Sequence, residues 1–406
     1  MLPFVLSPYL RPIKSPNTEK PDSFLVDDGV TGWIELDEPM QAVVRAMWTP
    51  ERSEAELAVA ATRFGPRELT AAVDRLKDKR VLFRDRRAVD ESLDGVLKAG
   101  IPSPVPFVDQ IELTNVCPFK CQFCPRGVAG RMKRPTGKMD FALFEKILDQ
   151  LHPEQARWRA MELHHLGESL VHPDVDRCVA AASRRGLPTE LSCNPSVLNG
   201  DLGPRLLDAG IRRLCISLDG VDNETSTLIR GPAARYDKAE KNLETLLGHA
   251  SQMGQPPTIV IQMIDLHKNR HQREAFLQRW GKTGLPFVRA YVKDLDGPDP
   301  DTGQPSARPV SYLCTYPWRS VVILWDGRVV PCCRDSDAAL VLGDLTKQTL
   351  EEIWNGDEVK KLRGDLAENR LACGHLCEGC PWRKEPFGEA MPKRHPDVAK
   401  EEPLYW

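Results

Sequence analysis

The sequence predicts an α/β protein: a partial (β/α)6 TIM-type barrel with a small N-terminal winged-helix-like α+β domain and a C-terminal cysteine-rich domain. Three observations support this fold class. Six strand-like runs alternate with helix-like runs in the middle of the chain, shorter elements of both kinds precede them, and one group of cysteines follows the first of the six strands while a second group follows the last. A chain of 406 residues, 41% of them hydrophobic, is long enough for two or three such domains.

The N-terminal domain is predicted to span residues 1–86. Two short strands flank a glycine, amphipathic helices follow, and a last short strand closes the domain; in order, the segments are FLVDD, TGWIEL, EPMQAVVRAM, SEAELAVAATRF, RELTAAVDRLKDK and VLFRD. This pattern is typical of a small winged-helix unit. Residues 87–106 are polar and then proline-rich, which favours a linker.

The barrel is predicted over residues 107–300, and its strands are VDQIELTN, AMELHHLG, PTELSCN, RRLCISLDG, PTIVIQMID and LPFVRAYVKD. Right-handed crossovers between parallel strands would curl such a series into a partial barrel. Sites in barrels of this type lie at the C-terminal ends of the strands. The segment CPFKCQFC directly follows the first strand and is therefore placed at the mouth of the barrel.

Composition limits the partners and the compartment. A net charge of -3 gives no electrostatic reason for nucleic acid or an anionic membrane surface to be the main partner. The chain has no apolar window of about eighteen residues, and its first residues lack the basic region of a signal peptide. We therefore expect a cytoplasmic protein, in which twelve cysteines indicate metal ligands rather than a disulfide framework.

The first cysteine group contains three thiols within eight residues: Cys117, Cys121 and Cys124. Structural zinc sites and electron-transfer clusters use four protein ligands, whereas three thiolates can hold three corners of a cubane and leave the fourth iron open. Three thiols therefore favour an iron that binds something else. The alternative is a zinc site or a structural cluster that a distant fourth cysteine completes.

The spacing CxxxCxxC, after the first strand and with the aromatic Phe123 before the last cysteine, resembles the signature of the radical S-adenosylmethionine superfamily. The resemblance implies a 4Fe-4S cluster whose open iron site chelates the amino and carboxylate groups of S-adenosylmethionine. In that family an electron from the cluster cleaves the sulfonium to a 5′-deoxyadenosyl radical, while the protein binds and orients the reactants and excludes water and oxygen.

Further matches to this family lie at the ends of strands two to four, in the order the family predicts. By this resemblance Glu168 receives the ammonium of S-adenosylmethionine, and a serine and Arg230 hold its carboxylate. Ser192 and Asn194 share one strand face, from which they would bond the ribose or the carboxylate. The alternatives are that Glu168 caps a helix and that Arg230 forms a surface ion pair. The cofactor-binding set is Phe123, Gly167, Glu168, Ser192, Asn194, Ser217, Asp219 and Arg230.

Four residues are predicted to serve the substrate. Cys215 shares a face with Ser217 and could donate a hydrogen atom in the lumen, although plain packing is the main alternative. Gln262 is an amide within the apolar run TIVIQMI, which favours a partner in the lumen. Lys293 stands nearest to the mouth on the last strand, and Asp335 follows the second cysteine group.

The second cysteine group belongs to a domain predicted over residues 301–383, and a polar tail without assignment follows over residues 384–406. The segment DGRVVPCC predicts a hairpin with its turn at Asp326-Gly327. Such a hairpin would bring Cys314 and Cys332 together on adjacent strands.

This region resembles the SPASM or twitch extension of radical S-adenosylmethionine enzymes, including its LGD and LEEIWNG segments. The resemblance implies one auxiliary 4Fe-4S cluster, with Cys333 and Cys373 left over. A structural zinc held by four cysteines is the alternative. The auxiliary ligands would be Cys314, Cys332, Cys377 and Cys380.

Three functions remain open. The first is a maturase of a ribosomally synthesised peptide (RiPP maturation), because the N-terminal unit resembles in pattern the PqqD-like domain that binds a leader peptide as an added strand. The second is a dehydrogenase or epimerase of an aminocyclitol or sugar in natural-product biosynthesis, and the third is a non-catalytic partner-binding scaffold. In an enzyme, the auxiliary cluster would aid oxidation, epimerisation or crosslinking, and flavodoxin or ferredoxin would donate the electron.

Overall fold

The computed structural model describes residues 5–6, 11–14, 24–27, 33–48, 60–78, 82–83, 106–152, 160–198, 201–294, 314, 316–367, 370–372, 374–378 and 380. The predicted tail, Cys373 and the predicted linker up to residue 105 lie outside the described residues. The chain forms two compact units. The first comprises Met1–Pro106, Val310–Arg319 and Lys360–Trp406, and the second comprises Phe107–Pro309 and Ser320–Val359.

Among the described residues, the N-terminal part of the first unit contains two small antiparallel sheets, two amphipathic helices and a helical stretch at residues 60–64, which lies within the predicted SEAELAVAATRF helix. Its elements are β1 (Val5–Leu6), β2 (Arg11–Lys14), β3 (Phe24–Asp27), β4 (Trp33–Leu36), α1 (Glu38–Trp48), α2 (Pro66–Asp78) and β5 (Leu82–Phe83). Strand β3 lies between β2 and β4, and β1 pairs with β5. The strands β3, β4 and β5 and both helices lie where the sequence predicts them, whereas β1 and β2 were not predicted.

Helix α1 begins where Asp37 supplies its N-cap. One carboxylate oxygen of Asp37 accepts a hydrogen bond from the Met40 backbone amide at 3.0 Å, and the other pairs with Arg75 of α2 at 2.9 Å. Val44 and Ala72, from the two helices, are fully buried. Because an exposed ion pair contributes little, burial of these apolar faces is the main force that holds the helices together.

The second unit consists of strands and helices that alternate along the chain. Its elements are β6 (Phe107–Ile111), α3 (Phe141–Leu148), β7 (Met161–Glu162), α4 (Val175–Arg184), β8 (Thr189–Cys193), α5 (Leu202–Asp208), β9 (Arg213–Ser217), α6 (Asn223–Arg230), α7 (Tyr236–Ala250), β10 (Thr258–Asp265), α8 (Arg273–Trp280) and β11 (Val288–Asp294). Strands β6 to β11 pair in parallel and in chain order. This confirms the predicted (β/α)6 series.

The C-terminal part of the chain adds helices to both units and a hairpin to the second unit. The elements are α9 (Tyr316–Arg319), β12 (Ser320–Ile323), β13 (Arg328–Val330), β14 (Gly343–Asp344), α10 (Leu350–Trp354) and α11 (Asp357–Ala367). The hairpin turns at Asp326-Gly327 as predicted, with Gly327 at φ +88°. Strand β12 also pairs in parallel with β6, so the barrel sheet continues into the hairpin, which the sequence did not predict.

The two faces of the barrel sheet differ in chemistry. One face is apolar, and its Leu191, Ile216 and Ile261 are fully buried. The other face carries Gln262, which is in register with Ser217 on one side and Tyr291 on the other. Because register partners in a parallel sheet point to the same side, polar groups line one continuous surface of the barrel. No described helix is long and apolar enough to cross a membrane.

The turn of the hairpin packs tightly against the segment that leads into α3. A Cβ atom on Gly137 would lie 2.4 Å from the ring of Trp325, so only glycine allows this approach. Close packing of the Trp325 ring against Gly137 therefore holds the hairpin against the barrel.

We expect Gly137→Ala to lower the free energy of unfolding by about 1–3 kcal/mol, because the Trp325 ring must move. The matched control is Gly248→Ala in α7, where an added Cβ meets no atom within 4 Å. That change should be neutral or stabilise by about 0.5–1 kcal/mol. Anaerobic urea denaturation measures both changes, and equal effects of the two substitutions would contradict the packing account.

Candidate active site

The three-cysteine loop, residues 117–124, is anchored on the last turn of α6. The backbone amide of Lys120 donates to the Arg230 carbonyl at 2.8 Å, and the amide of Gln122 donates to the Ile229 carbonyl at 3.1 Å. The last carbonyls of a helix have no partner within the helix, so the loop satisfies groups that would otherwise need water. The end of α6 therefore sets where the loop lies.

Gly127 lets the chain fold back over this loop. Its amide donates to the Cys124 carbonyl at 2.9 Å, and an added Cβ would lie 2.3 Å from the Cys121 carbonyl oxygen. The sequence analysis missed Gly127, although a glycine three residues after a cysteine motif is a signal for such a close approach.

The thiols of the loop lie against a small apolar cluster. Cys121 is buried with Phe119 and Ala234, and Cys117 and Cys124 pack against the same cluster. Burial raises the pKa of Cys117 to about 12 and that of Cys121 to about 11. The thiols of Cys117 and Cys121 are therefore protonated at neutral pH, and a bound metal would displace their protons.

The donor set fits a cubane better than a single metal ion. A structural zinc site is completed by four protein ligands, whereas in a cubane each thiolate binds a different iron atom. The three thiols of this one loop therefore fit a 4Fe-4S cluster with one open iron.

Arg230 connects the loop to the sheet. Its Nε and Nη2 atoms both lie 2.6 Å from one carboxylate oxygen of Asp219, and its Nη1 lies 3.7 Å from the Cys121 sulfur. The other oxygen of Asp219 accepts from the Ile264 amide at 2.9 Å. Burial alone would lower the pKa of Arg230, but the Asp219 carboxylate raises it above its usual range. The Arg230 side chain also lies over the Phe123 ring, 5.6 Å from its centroid.

Glu168 is held beside the root of the three-cysteine loop. Gly167 has φ +90°, and a Cβ on it would lie 2.3 Å from the Thr114 carbonyl oxygen, so the two loops touch through backbone. The buried Glu168 carboxylate accepts hydrogen bonds from the Leu170 amide at 3.2 Å and the Asn194 amide at 2.9 Å. Burial raises the pKa of Glu168 to about 7. Glu168 does cap a short 3-10 helix, as the alternative proposed, and both carboxylate oxygens keep free lone pairs.

A chain of hydrogen bonds crosses the barrel face at the next strands. The Gln262 amide donates to the Ser217 hydroxyl at 2.9 Å and accepts from the Tyr291 hydroxyl at 3.0 Å. Asn194 donates to the Ser217 carbonyl at 3.0 Å, and its own carbonyl accepts from Ser196. The structure thus gives the buried amide of Gln262 the partners that its sequence context requires.

Cys215 lies on the polar face of the barrel, in register with Ser192. Burial raises its pKa to about 12, and the charges of Arg213 and Lys293 act on it from nearby. The thiol is therefore protonated and retains the hydrogen that the predicted role requires. Lys293 itself is in register with Ile264 and is half-buried.

Polar and charged residues that the sequence analysis missed line the same face of the sheet, nearer to the start of the strands than Ser192 and Cys215. Gln110, Glu162, Glu190 and Arg213 are successive register partners on β6 to β9. The Gln110 amide donates to Glu162 at 2.6 Å, and Glu190 pairs with Arg213 at 3.3 Å. A polar residue that alternates with apolar ones in TELSC and RRLCIS was the available signal.

Asp335, which the sequence predicts to serve the substrate, is held by the backbone of its own loop. Its side chain is 1% exposed, and its two oxygens accept hydrogen bonds from the backbone amides of Ala339 at 2.7 Å and Leu340 at 2.8 Å. Asp335 therefore organises the loop after Cys333, in which Ala338 has φ +56°. Its contact with a substrate remains a prediction.

The second cysteine group is divided between the two units. In the first unit, Cys377 and Cys380 lie close enough to Cys314 to act electrostatically on its thiol, whose pKa burial raises to about 12. In the second unit, Cys332 and Cys333 follow β13 and are half-buried. That these thiols share one cluster remains a prediction.

Comparison with known proteins gives two family matches. Residues 111–279 match the Radical SAM superfamily, and residues 314–381 match the SPASM iron-sulfur cluster-binding domain. This chain belongs to the radical S-adenosylmethionine superfamily. It is therefore an enzyme that binds a 4Fe-4S cluster and S-adenosylmethionine, with auxiliary iron–sulfur binding in its SPASM domain, and the scaffold hypothesis is excluded.

Individual relatives within the superfamily are distant. An S-adenosyl-L-methionine-dependent 2-deoxy-scyllo-inosamine dehydrogenase of Niallia circulans is 22% identical over 274 residues, which cover 67% of this chain and 91% of the relative. A PqqA peptide cyclase of Granulibacter bethesdensis is 23% identical over 290 residues, covering 62% and 75%. The structure of Streptococcus suis SuiB bound to precursor peptide SuiA superposes with a TM-score of 0.52 at 13% identity, covering 89% and 90%. That likeness confirms the fold.

We expect Gly167→Ala to weaken S-adenosylmethionine binding at least about tenfold, because the added Cβ would push Glu168 away from the three-cysteine loop. Gly130→Ala is the matched control, since Gly130 also has a positive φ of +78° but an added Cβ there meets nothing within 4 Å. Equilibrium dialysis with the reconstituted enzyme measures both. An equal loss of S-adenosylmethionine affinity in the two variants would contradict this prediction, because backbone strain and not the position of Glu168 would then be the cause.

Proposed function

We propose that this radical S-adenosylmethionine enzyme abstracts a hydrogen atom from a C–H bond of a ribosomally synthesised peptide, with the help of one auxiliary 4Fe-4S cluster. The observation that carries the substrate class is the N-terminal unit, in which β3 lies between two edge strands and helices follow the sheet. Among the described residues, β2 and β4 each pair with β3 alone. An edge strand of this kind can accept an extended leader peptide as an added strand.

In this proposal the residues at the barrel mouth bind and orient the cofactors. Cys117, Cys121 and Cys124 would hold the first cluster, which when bound with S-adenosylmethionine supplies the one-electron chemistry for hydrogen abstraction. Glu168 has acceptor capacity left for the ammonium of S-adenosylmethionine. Three N–H donors of Arg230 contact Asp219 and Cys121, and its other two could bind the carboxylate of S-adenosylmethionine.

The rest of the cofactor set and the substrate residues extend along the same polar face. Asn194 and Ser217 would bound the S-adenosylmethionine pocket, and Ser192 would contact its ribose. The chain from Ser217 through Gln262 to Tyr291 fixes hydroxyl and amide groups where a substrate must enter. Cys215 would donate a hydrogen atom only if the reaction is redox-neutral.

One auxiliary 4Fe-4S cluster would be held by the remaining cysteines. Two of the four proposed ligands, Cys377 and Cys380, act electrostatically on a third, Cys314, in the first unit. Cys332 of the second unit would supply the fourth thiolate. Four ligands close a cluster completely, so it would serve in electron transfer and not in binding S-adenosylmethionine.

Two similarities support a peptide substrate, and one supports the alternative. The PqqA peptide cyclases and the SuiB fold, solved with precursor peptide SuiA, are related to this chain. The related 2-deoxy-scyllo-inosamine dehydrogenase instead favours an aminocyclitol or sugar. The charged lower layer of the barrel, with Glu162, Glu190 and Arg213, would suit such a polar small molecule.

We expect Cys121→Ala to abolish reductive cleavage of S-adenosylmethionine, because it removes a ligand of the only cluster with an open iron. Cys380→Ala should keep uncoupled cleavage but lose substrate turnover. Cys178→Ala is the control, since this thiol is buried in α4 outside both cysteine groups. Anaerobic assays of 5′-deoxyadenosine release with dithionite measure the effects. Normal substrate turnover by Cys380→Ala would contradict the auxiliary-cluster role.

A deuterium-transfer experiment distinguishes the substrate classes. The reconstituted enzyme is incubated with S-adenosylmethionine, dithionite and either perdeuterated precursor peptides that carry their leaders or perdeuterated aminocyclitols. Our proposal predicts deuterium in 5′-deoxyadenosine from a peptide only, and its loss when the leader is removed. Deuterium from an aminocyclitol alone would establish the alternative function.

A further inference from the structure

A buried ion pair lies beneath the three-cysteine loop, outside the site described above. Glu112 directly follows β6 and has no exposed surface, and Arg134 is 6% exposed. Both terminal amino groups of Arg134 donate to the two Glu112 carboxylate oxygens, one of them at 2.6 Å. A buried charge is costly unless a partner and hydrogen bonds compensate it, so this pair calls for a full account of its contacts.

Glu112 joins three segments through its carboxylate. Besides Arg134, it accepts hydrogen bonds from the backbone amides of Leu166 and Trp325, each at 3.3 Å. Leu166 immediately precedes the Gly167-Glu168 motif, and Trp325 stands in the turn of the β12–β13 hairpin. One carboxylate thus ties the root of the three-cysteine loop to the hairpin that leads to Cys332.

Arg134 extends this connection to the residues after Cys332. Its Nε atom donates to the Ser336 carbonyl at 2.6 Å. The backbone amides of Lys133 and Arg134 donate to one oxygen of Asp337 at 2.6 Å and 3.2 Å. Two independent contacts therefore hold the segment from Cys332 to Asp337 to the barrel.

That segment is stiff enough to transmit the position of Arg134. The Asp335 amide donates to the Cys332 carbonyl at 3.2 Å, and the Asp335 carboxylate binds two later backbone amides of the same loop. A shift of Ser336 or Asp337 would therefore move Cys332 with it.

We propose that Glu112 and Arg134 are positioning residues that fix the Cys332–Asp337 segment, and with it the Cys332 thiolate, relative to the three-cysteine loop. This inference rests on the proposed role of Cys332 as an auxiliary-cluster ligand. Groups behind a metal ligand commonly tune metal retention by about 10- to 100-fold when they are removed.

Arginine is required here for its geometry as well as its charge. A planar guanidinium presents donors in a fixed fork and serves two Glu112 oxygens and the Ser336 carbonyl at once. A lysine could neutralise Glu112 but could not also reach Ser336 in the same arrangement. Arg134→Lys therefore separates the positioning role from simple charge compensation.

The test uses the full-length enzyme, reconstituted anaerobically, in four forms: wild type, Arg134→Lys, Asp337→Ala and Arg328→Lys. Asp337→Ala removes the second contact and leaves the ion pair intact. Arg328→Lys is the matched control, because Arg328 lies in the same hairpin but pairs with Asp326 of the turn. Electron paramagnetic resonance separates the clusters, since S-adenosylmethionine perturbs only the signal of the cluster with the open iron.

We expect both Arg134→Lys and Asp337→Ala to lose auxiliary iron to a chelator about tenfold faster and to change the auxiliary signal. The signal that responds to S-adenosylmethionine should be unchanged, and Arg328→Lys should match wild type. An unchanged auxiliary signal and chelation rate in Asp337→Ala, or in a folded Arg134→Lys, would overturn the inference. Absence of a second cluster from wild type would instead show that the proposed auxiliary ligation is wrong.

Discussion

The ion pair between Asp219 and Arg230 is the interaction on which the geometry of the site depends. Asp219 follows the end of β9 and accepts a hydrogen bond from a backbone amide of β10. Arg230 is the last residue of α6, and its carbonyl accepts a hydrogen bond from the backbone of the three-cysteine loop. The pair therefore connects the sheet, the helix and the Cys121 thiol through direct contacts. Removing Asp219 would leave a buried guanidinium uncompensated, which costs about 3–5 kcal/mol in comparable cases.

The same pair explains how a buried site can take up several charges. Burial raises the pKa of the Cys117 and Cys121 thiols, which keeps them protonated, and raises the pKa of Glu168 to about 7. A bound cluster would displace the protons of these two thiols and place negative charge beside Arg230, whose own charge Asp219 maintains. Cofactor binding and proton release are thus coupled in a pocket whose backbone contacts already exist.

Much of this arrangement could be predicted from local patterns. Strand and helix periodicity located β6 to β11, and the position of Cys117, Cys121 and Cys124 directly after the first strand placed them at the mouth of the barrel. Periodicity reports which face of an element is apolar, and motif spacing reports which residues share one loop. Both signals are confined to a few consecutive residues.

Features that depend on distant residues escaped that analysis. The pairing of β12 with β6 joins segments more than 200 residues apart, and Glu112 finds Arg134 only because the loop between them folds back. Contacts within one loop also escaped it, because the sequence pattern does not show that the Asp335 carboxylate accepts hydrogen bonds from the backbone amides of Ala339 and Leu340. A motif predicts which residues lie near a site, and only the structure shows their hydrogen-bond partners.

The most direct test of this account is the iron and acid-labile sulfide content after anaerobic reconstitution, with Mössbauer spectra of wild type and of a variant with Cys117, Cys121 and Cys124 all changed to alanine. The account predicts about eight irons per chain in wild type, falling to about four in the variant, which corresponds to two cubanes. About four irons falling to none, with zinc bound, would contradict it, because the C-terminal cysteines would then hold a structural metal and no auxiliary cluster.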